Sequence, residues 1–233
     1  MRDRTWEEFA TQLAGVARDL LAQESVQDTL DRIAEHCVEL VDGCETAGIL
    51  SLEGSGVHTL SATSSLVYES DRLQEKSGEG PCFDAARTGE AVLRIRDMTT
   101  WTEHWPVYTP RARELGIGSM MGFLLYTRTD TLGALNVYST RPDAFTEASE
   151  HVGWLLASHA AVAFSSARTH EQLQTAMGSR HTIGAAVGVV MERYGITEDQ
   201  AFAVLTKSSQ DHNTKLRDVA RTVTETGKVP GAK

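Results

Sequence analysis

Cysteine is scarce in this sequence: Cys37, Cys44 and Cys82 are the three in 233 residues, and no two form a CxxC pair. An odd, widely spaced set excludes a disulfide framework and fits reduced thiols. No apolar run approaches the roughly eighteen residues that suggest a membrane span, so no membrane association is expected. The N-terminus, MRDRTWEEFATQL, carries acids where a signal peptide needs an apolar stretch, and a cytoplasmic location follows as the expectation. No phosphate-cradling glycine loop, Ser-His-Asp set or metal-ligand cluster is apparent. The residues therefore name no cofactor, and catalysis is not expected. His58 and His104 read as surface histidines rather than haem ligands.

Basic charge is also in the minority, with 22 Lys and Arg against 32 Asp and Glu, a formal net of −10. The imbalance is uneven. Residues 1–170 hold 14 basic and 25 acidic side chains, whereas residues 171–233 hold 8 and 7. From Thr214 onward the count is 5 to 2 in favour of the basic ones. Such asymmetry suggests different partners for the two parts.

Proline is missing from the 87 residues between Pro142 and Pro230, which leaves room for long helices. What is present reads as an α+β fold. Residues 5–42 show apolar residues at three- and four-residue intervals (Leu13, Val16, Leu20, then Leu30, Ile33, Cys37 and Leu40) and are expected to be helix. ETAGILSLEGSGVHTLSAT, from Glu45, reads as a β-hairpin broken at EGSG. AVLRIRD (91–97), SMMGFLLYT (119–127) and TLGALNVYS (131–139) read as further strands of an antiparallel sheet. Arg128, Thr129 and Asp130 space the last two as a hairpin. Residues 63–90 and 98–118 are expected to be long loops, of the kind that carry function.

Residues 144–194 form one long helix, or two with a bend near Gly178-Ser179. Its stripes are Val152, Leu155, Leu156, His159, Ala160, Val162 and Ala163, then Ile183, Val187, Val190, Met191 and Tyr194. Thr197 and Gln200 form a capping box opening a helix that buries Ala201, Phe202, Leu205 and Ser208. Asn213 or Thr214 is expected to cap the last helix, whose apolar face is Leu216, Val219, Ala220 and Val223. Gly227 stops it, and a disordered tail follows. Small residues at Gly184, Ala185, Ala186 and Gly188 suggest close helix packing in a C-terminal three-helix bundle.

The stretch SRHTIGAAVGVVMERYGITEDQAFAVLTKSSQDHNTKLRDVARTV closely resembles the ANTAR domain, a three-helix RNA-binding module of bacterial transcription antiterminators. The resemblance implies a homodimer that binds paired RNA hairpin loops in leader transcripts and keeps a terminator from forming. RNA loops offer splayed bases and phosphates within reach of a few side chains. Arg180, Lys215, Arg217 and Arg221 are the expected phosphate or base contacts, with Ser208, Ser209 and Asn213 as hydrogen-bonding partners.

The N-terminal part resembles a GAF domain, in the version that accompanies ANTAR tails in actinobacteria. SGEGPCFDAARTGEAVLRIRD (77–97), ELGIGSMMGFLL and LGALNVYS carry that resemblance. It implies a small-molecule sensor pocket closed by the GEGPCFDA loop and lined by Tyr68, Cys82, Phe83, Trp101, Trp105 and Tyr108. The expected domains are 1–165, the sensor with its N-terminal helix, and 166–233, the RNA-binding module. Three other readings stay open: a thiol-based redox sensor or enzyme using the cysteines, a DNA-binding helix-turn-helix, and a protein-interaction adaptor.

Overall fold

A computed structural model of the chain describes residues 6–53, 56–88, 90–127 and 131–231. They form two compact units, residues 1–168 and 169–233.

The first unit begins with α1 (Trp6–Leu21) and α2 (Val26–Leu40). One helix was expected here; the chain breaks at Ala22–Ser25 because Ser25 caps α2, accepting from the Asp28 amide at 3.0 Å. Asp19 ties the pair together, bonded to Arg32 and His36. The Arg32 guanidinium, and after it His36, hold the Asp19 carboxyl below its usual range.

The sheet has five antiparallel strands: β1 (Thr46–Glu53), β2 (Gly56–Ala62), β3 (Val92–Ile95), β4 (Ser119–Tyr126) and β5 (Thr131–Ser139). Their order is β2-β1-β5-β4-β3. Period-two alternation sorts the side chains. Ala47, Ile49, Met121, Phe123, Leu135 and Val137 pack against α1, α2 and the start of the long helix α6 (Glu147–Tyr194), which supplies Leu156, Ala160 and Phe164. Gly153 makes this approach close, since a Cβ there would run into the Phe123 ring.

The other face lies beneath helices that were expected to be loops. Residues 63–90 hold α3 (Ser65–Ser77) and α4 (Pro81–Thr88). Between 98 and 118 lie a 3-10 turn (Met98–Trp101) and α5 (Tyr108–Glu114). Gly78 ends α3 at φ 65° and Gly80 turns the chain at φ 121°, backbone states that favour glycine. A second cluster here contains Val67, Ile95, Met98, Trp105, Tyr108 and Tyr138. The connection 128–130 lies outside the described residues.

Helix α6 runs 48 residues without a break at Gly178-Ser179. Residues 168–178 of it are exposed on all sides, and the expected stripe residue Val162 is 64% exposed.

The second unit comprises the end of α6, α7 (Glu198–Asp211) and α8 (Leu216–Thr226). Its core is Ala186, Val187, Val190, Ala201, Leu205, Val219, Ala220 and Val223. The Thr197/Gln200 capping box forms as expected. Four expectations are corrected. Phe202 and Tyr194 are exposed rather than buried. Gly184, Ala185 and Gly188 face solvent, leaving only Ala186 of the small residues inside. Neither Asn213 nor Thr214 caps α8: Asn213 takes a left-handed φ of 48°, and Lys215 holds the cap position without a side-chain bond. The tail expected to be disordered packs on the domain instead: Val229 joins the core and Pro230 accepts from the Ser208 hydroxyl.

Candidate functional site: a basic helix and a polar sensor face

Helix α8 sorts its side chains by period. Val219, Ala220 and Val223 are buried, and Leu216 is half-buried. Lys215 and Arg221 stand in solvent, and Arg217 is half-buried. Asp218 lies 3.8 Å from Arg217 and 3.9 Å from Arg221, loose surface pairs worth about 0–1 kcal/mol. Arg180 sits on α6 and is exposed. Ser208 is buried and its hydroxyl serves the fold through Pro230. Ser209 donates to the Thr214 carbonyl at 2.6 Å, which shapes the turn that carries Asn213.

In the first unit, α3 buries polar groups against the sheet. Asp71 accepts from the Thr59 hydroxyl at 2.8 Å, and its second oxygen is buried with no hydrogen-bond partner among the described residues. Burial pushes its carboxyl up to about 7, a shift that the Thr59 bond only partly opposes. Gln74, one turn on, lies against Gly80. Asn136 of β5 faces Gly122 and has a buried side-chain oxygen with no hydrogen-bond partner among the described residues. Asp71 and Asn136 were missed in the sequence: Asp71 stands in a presumed loop, and Asn136 is a lone polar residue in a strand read from its apolar neighbours.

The expected pocket residues scatter in environment. Trp105 and Tyr108 are core residues, 1% and 0% exposed. Trp101 is half-buried and stacks on Trp105 at 4.7 Å. Phe83 packs at the edge of the Leu50, Val57 and Ala134 cluster. Tyr68 is exposed, and the Cys82 side chain lies outside the described residues. Two carboxylates pin this region. Glu79 accepts from the amides of Val107 and Tyr108, both at 2.8 Å, and Asp84 accepts from the Trp105 indole at 3.0 Å and meets His104 at 2.6 Å. The GEGPCFDA stretch, expected as a loop and here mostly the start of α4, is therefore tied through Glu79 and Asp84 to the segment that leads into α5.

Cys37 and Cys44 are buried free thiols. Burial pushes both up, Cys44 to about 12, so neither forms a thiolate readily. Among the described residues no group of His, Cys, Asp and Glu could hold a metal ion, and no helix is long and apolar enough to cross a membrane.

Comparison with protein families matches a GAF domain model to residues 23–165 and an ANTAR domain model to residues 171–223. The chain belongs to the GAF family and ends in an ANTAR domain. The GAF domain thus coincides with the five-stranded sheet and its helices, and the ANTAR domain with the three-helix unit. The fold is shared with the GAF domain of an Acinetobacter phosphoenolpyruvate-protein phosphotransferase, at 15% identity and a TM-score of 0.54, covering 71% of this chain and 97% of that one. The bacteriophytochrome RpBphP3 of R. palustris aligns at 10% identity with a TM-score of 0.62 over 88% of this chain, which spans 47% of that protein. A free methionine-R-sulfoxide reductase from Neisseria meningitidis, bound to its substrate, aligns at 15% identity and a TM-score of 0.53, covering 68% of this chain and 89% of that one. At such identities the likeness is one of fold. Comparison with curated proteins finds no match. GAF and ANTAR domains are regulatory modules, and their pairing is the architecture of a regulator of transcription antitermination that binds RNA.

Proposed function

We propose that the protein is a signal-responsive antiterminator whose ANTAR domain binds paired hairpin loops in leader transcripts under control of the GAF domain. The observation that carries this reading is α8, which buries one apolar face and leaves Lys215, Arg217 and Arg221 off it, in a domain of an RNA-binding family. With Arg180 and Asn213 they are the proposed contacts to loop phosphates and bases. Ser209 contributes through the turn, and Ser208 through the fold. The acidic remainder of the chain repels RNA from other surfaces.

The protein acts as a homodimer in this reading. A small molecule is taken up beneath α3 and α4, where Asp71 and Asn136 offer buried polar atoms and Phe83, Trp101 and Cys82 lie on the surrounding elements. The signal alters the pairing of α6 between two copies, and so whether two ANTAR domains reach two hairpins at once. Tethered contacts gain affinity through effective concentration only where geometry permits both.

Fluorescence anisotropy of the full chain tests the reading on three probes: a tandem-hairpin RNA, the same RNA with scrambled loops, and a DNA duplex. The expected result is binding selective for intact loops and weakened by salt. Equal binding to all three, or tighter binding to the duplex, overturns it.

A further inference from the structure

An open groove of about 620 Å³ lies along the ANTAR domain, within the range of roughly 300–1,000 Å³ typical of ligand pockets. Its floor is α6 at Gly184, Gly188 and Met191, with Glu198 and Phe202 of α7 and Leu216 of α8 beside it and Arg180 at its margin.

Two features of this groove have no explanation inside the fold. Gly184 and Gly188 lie one turn apart, and a Cβ at either would meet nothing within 4 Å. Glycine inside a helix is unfavourable, and no close helix approach in the domain uses the bare backbone strip they make. Phe202, between buried Ala201 and half-buried Val204, is 46% exposed. A flat strip of backbone facing an exposed aromatic ring suits a planar guest.

The charges around the groove indicate which guest. Arg180 stands at its margin, and Leu216 is flanked in sequence by Lys215 and Arg217. The buried Arg217 Nε lies 3.8 Å from Asp218 Oδ1 and makes no hydrogen bond among the described residues. Arg180 in the lining, with two further cations next to Leu216 in the sequence, complements a ring carried between two phosphates. Glu198, the one acid lining the groove, would oppose a phosphate inside it but can accept from an amino group on a base edge.

We propose that the groove is a pocket for one unstacked nucleobase of the RNA loop. The ring lies against Phe202 and over the α6 backbone at Gly184 and Gly188. Glu198 accepts from an N–H on the base edge, and Arg180 and Lys215 hold the flanking phosphates. This deepens the RNA-binding reading and rests on it.

The test uses the full chain and a tandem-hairpin RNA that it selects from a pool with randomised loops. Abasic residues are then placed at each loop position in turn. Wild type is expected to lose about 10- to 100-fold in affinity at one position, the scale of one base stacked on an aromatic. Gly188→Leu fills the groove from a site with room for a side chain, so folding is retained. It is expected to bind the intact RNA about 10-fold or more weakly, to ignore the abasic change at that position, and to keep the wild-type salt slope. Phe202→Ala is expected to act in the same direction. If Gly188→Leu and Phe202→Ala bind within twofold of wild type, the groove proposal falls while RNA binding stands. If Gly188→Leu instead dissociates a dimer in sedimentation, the groove is an interface between copies and the proposal is overturned. If no RNA is selected by wild type, both readings fall together.

Discussion

The Thr59 hydroxyl donates to one oxygen of Asp71 at 2.8 Å while the other oxygen is buried without a partner among the described residues. A single neutral donor cannot replace the water that a carboxylate loses on burial. Burial therefore raises the group from 3.8 to about 7. Between those values the folded chain holds a proton that the unfolded chain has released. Stability is then fully present below the unfolded value and falls by ~1.4 kcal/mol per pH unit as pH rises toward the folded one. Above pH 7 the accumulated cost is on the order of 4 kcal/mol as an upper bound. Asp71→Asn, uncharged at every pH, is expected to be more stable than wild type at pH 8 and to lose that advantage toward pH 5. Urea unfolding of both chains at the two pH values checks this. An equal gap at both would show that Asp71 titrates normally.

The buried thiols allow a second expectation. With Cys44 raised from 9.0 to about 12, its thiolate population at neutral pH falls about a thousandfold. Cys37 is shifted in the same direction by burial. Alkylation at pH 7 followed by peptide mass spectrometry should leave Cys37 and Cys44 unlabelled in the folded chain and label them in urea. Rapid native labelling at either would reopen a thiol-based role for the interior of the GAF domain.

The C-terminal tail allows a third. Val229 lies in the ANTAR core and Ser208 donates to the Pro230 carbonyl at 2.8 Å. Ending the chain at Gly227 removes a buried valine worth about 1.5–3 kcal/mol. It also strands a hydroxyl that costs about 1–3 kcal/mol when left unsatisfied. Hydrogen exchange at α7 and α8 should accelerate by an order of magnitude or more, while the GAF amides keep their protection. Unchanged exchange in α7 would show that the tail contributes nothing there.

Legibility in the sequence followed the physics of each element. The five strands were readable as short apolar runs bounded by turn residues, continuous in β4 and β5, which are buried along almost their whole length. The α8 face was readable because Leu216, Val219, Ala220 and Val223 repeat at helical spacing. Helix α3 was not, because it buries Ser70, Asp71 and Gln74 beside Val67, and polar residues leave no apolar period. Helix α4 is only eight residues long, too short for a period to show. The groove depends on Gly184, Gly188 and Phe202 facing outward, and sequence spacing alone favoured placing them inside. The packing of the tail rests on one valine and one carbonyl, neither of which marks a sequence.

Arg217 and Arg221 share one acidic neighbour, Asp218, at 3.8 and 3.9 Å. If both arginines meet RNA phosphates, each contact releases counterions. Arg221→Ala should then lower the salt slope of binding by about 0.7–1 and weaken binding alike for every loop sequence. Asp218→Asn should act the other way. Asp218 lies in the first turn of α8, where a negative charge stabilises the helix by about 0.3–1 kcal/mol, so the substitution costs a little stability. Against that, it removes repulsion from two phosphate contacts and frees two cations from loose surface pairs. The RNA gain should be the larger effect at low salt and should vanish at high salt, where exposed charges are screened. Anisotropy titrations of the two variants across a salt series decide it. Tighter binding by Asp218→Asn at low salt alone supports a phosphate-facing α8; weaker binding at every salt concentration would place the RNA elsewhere.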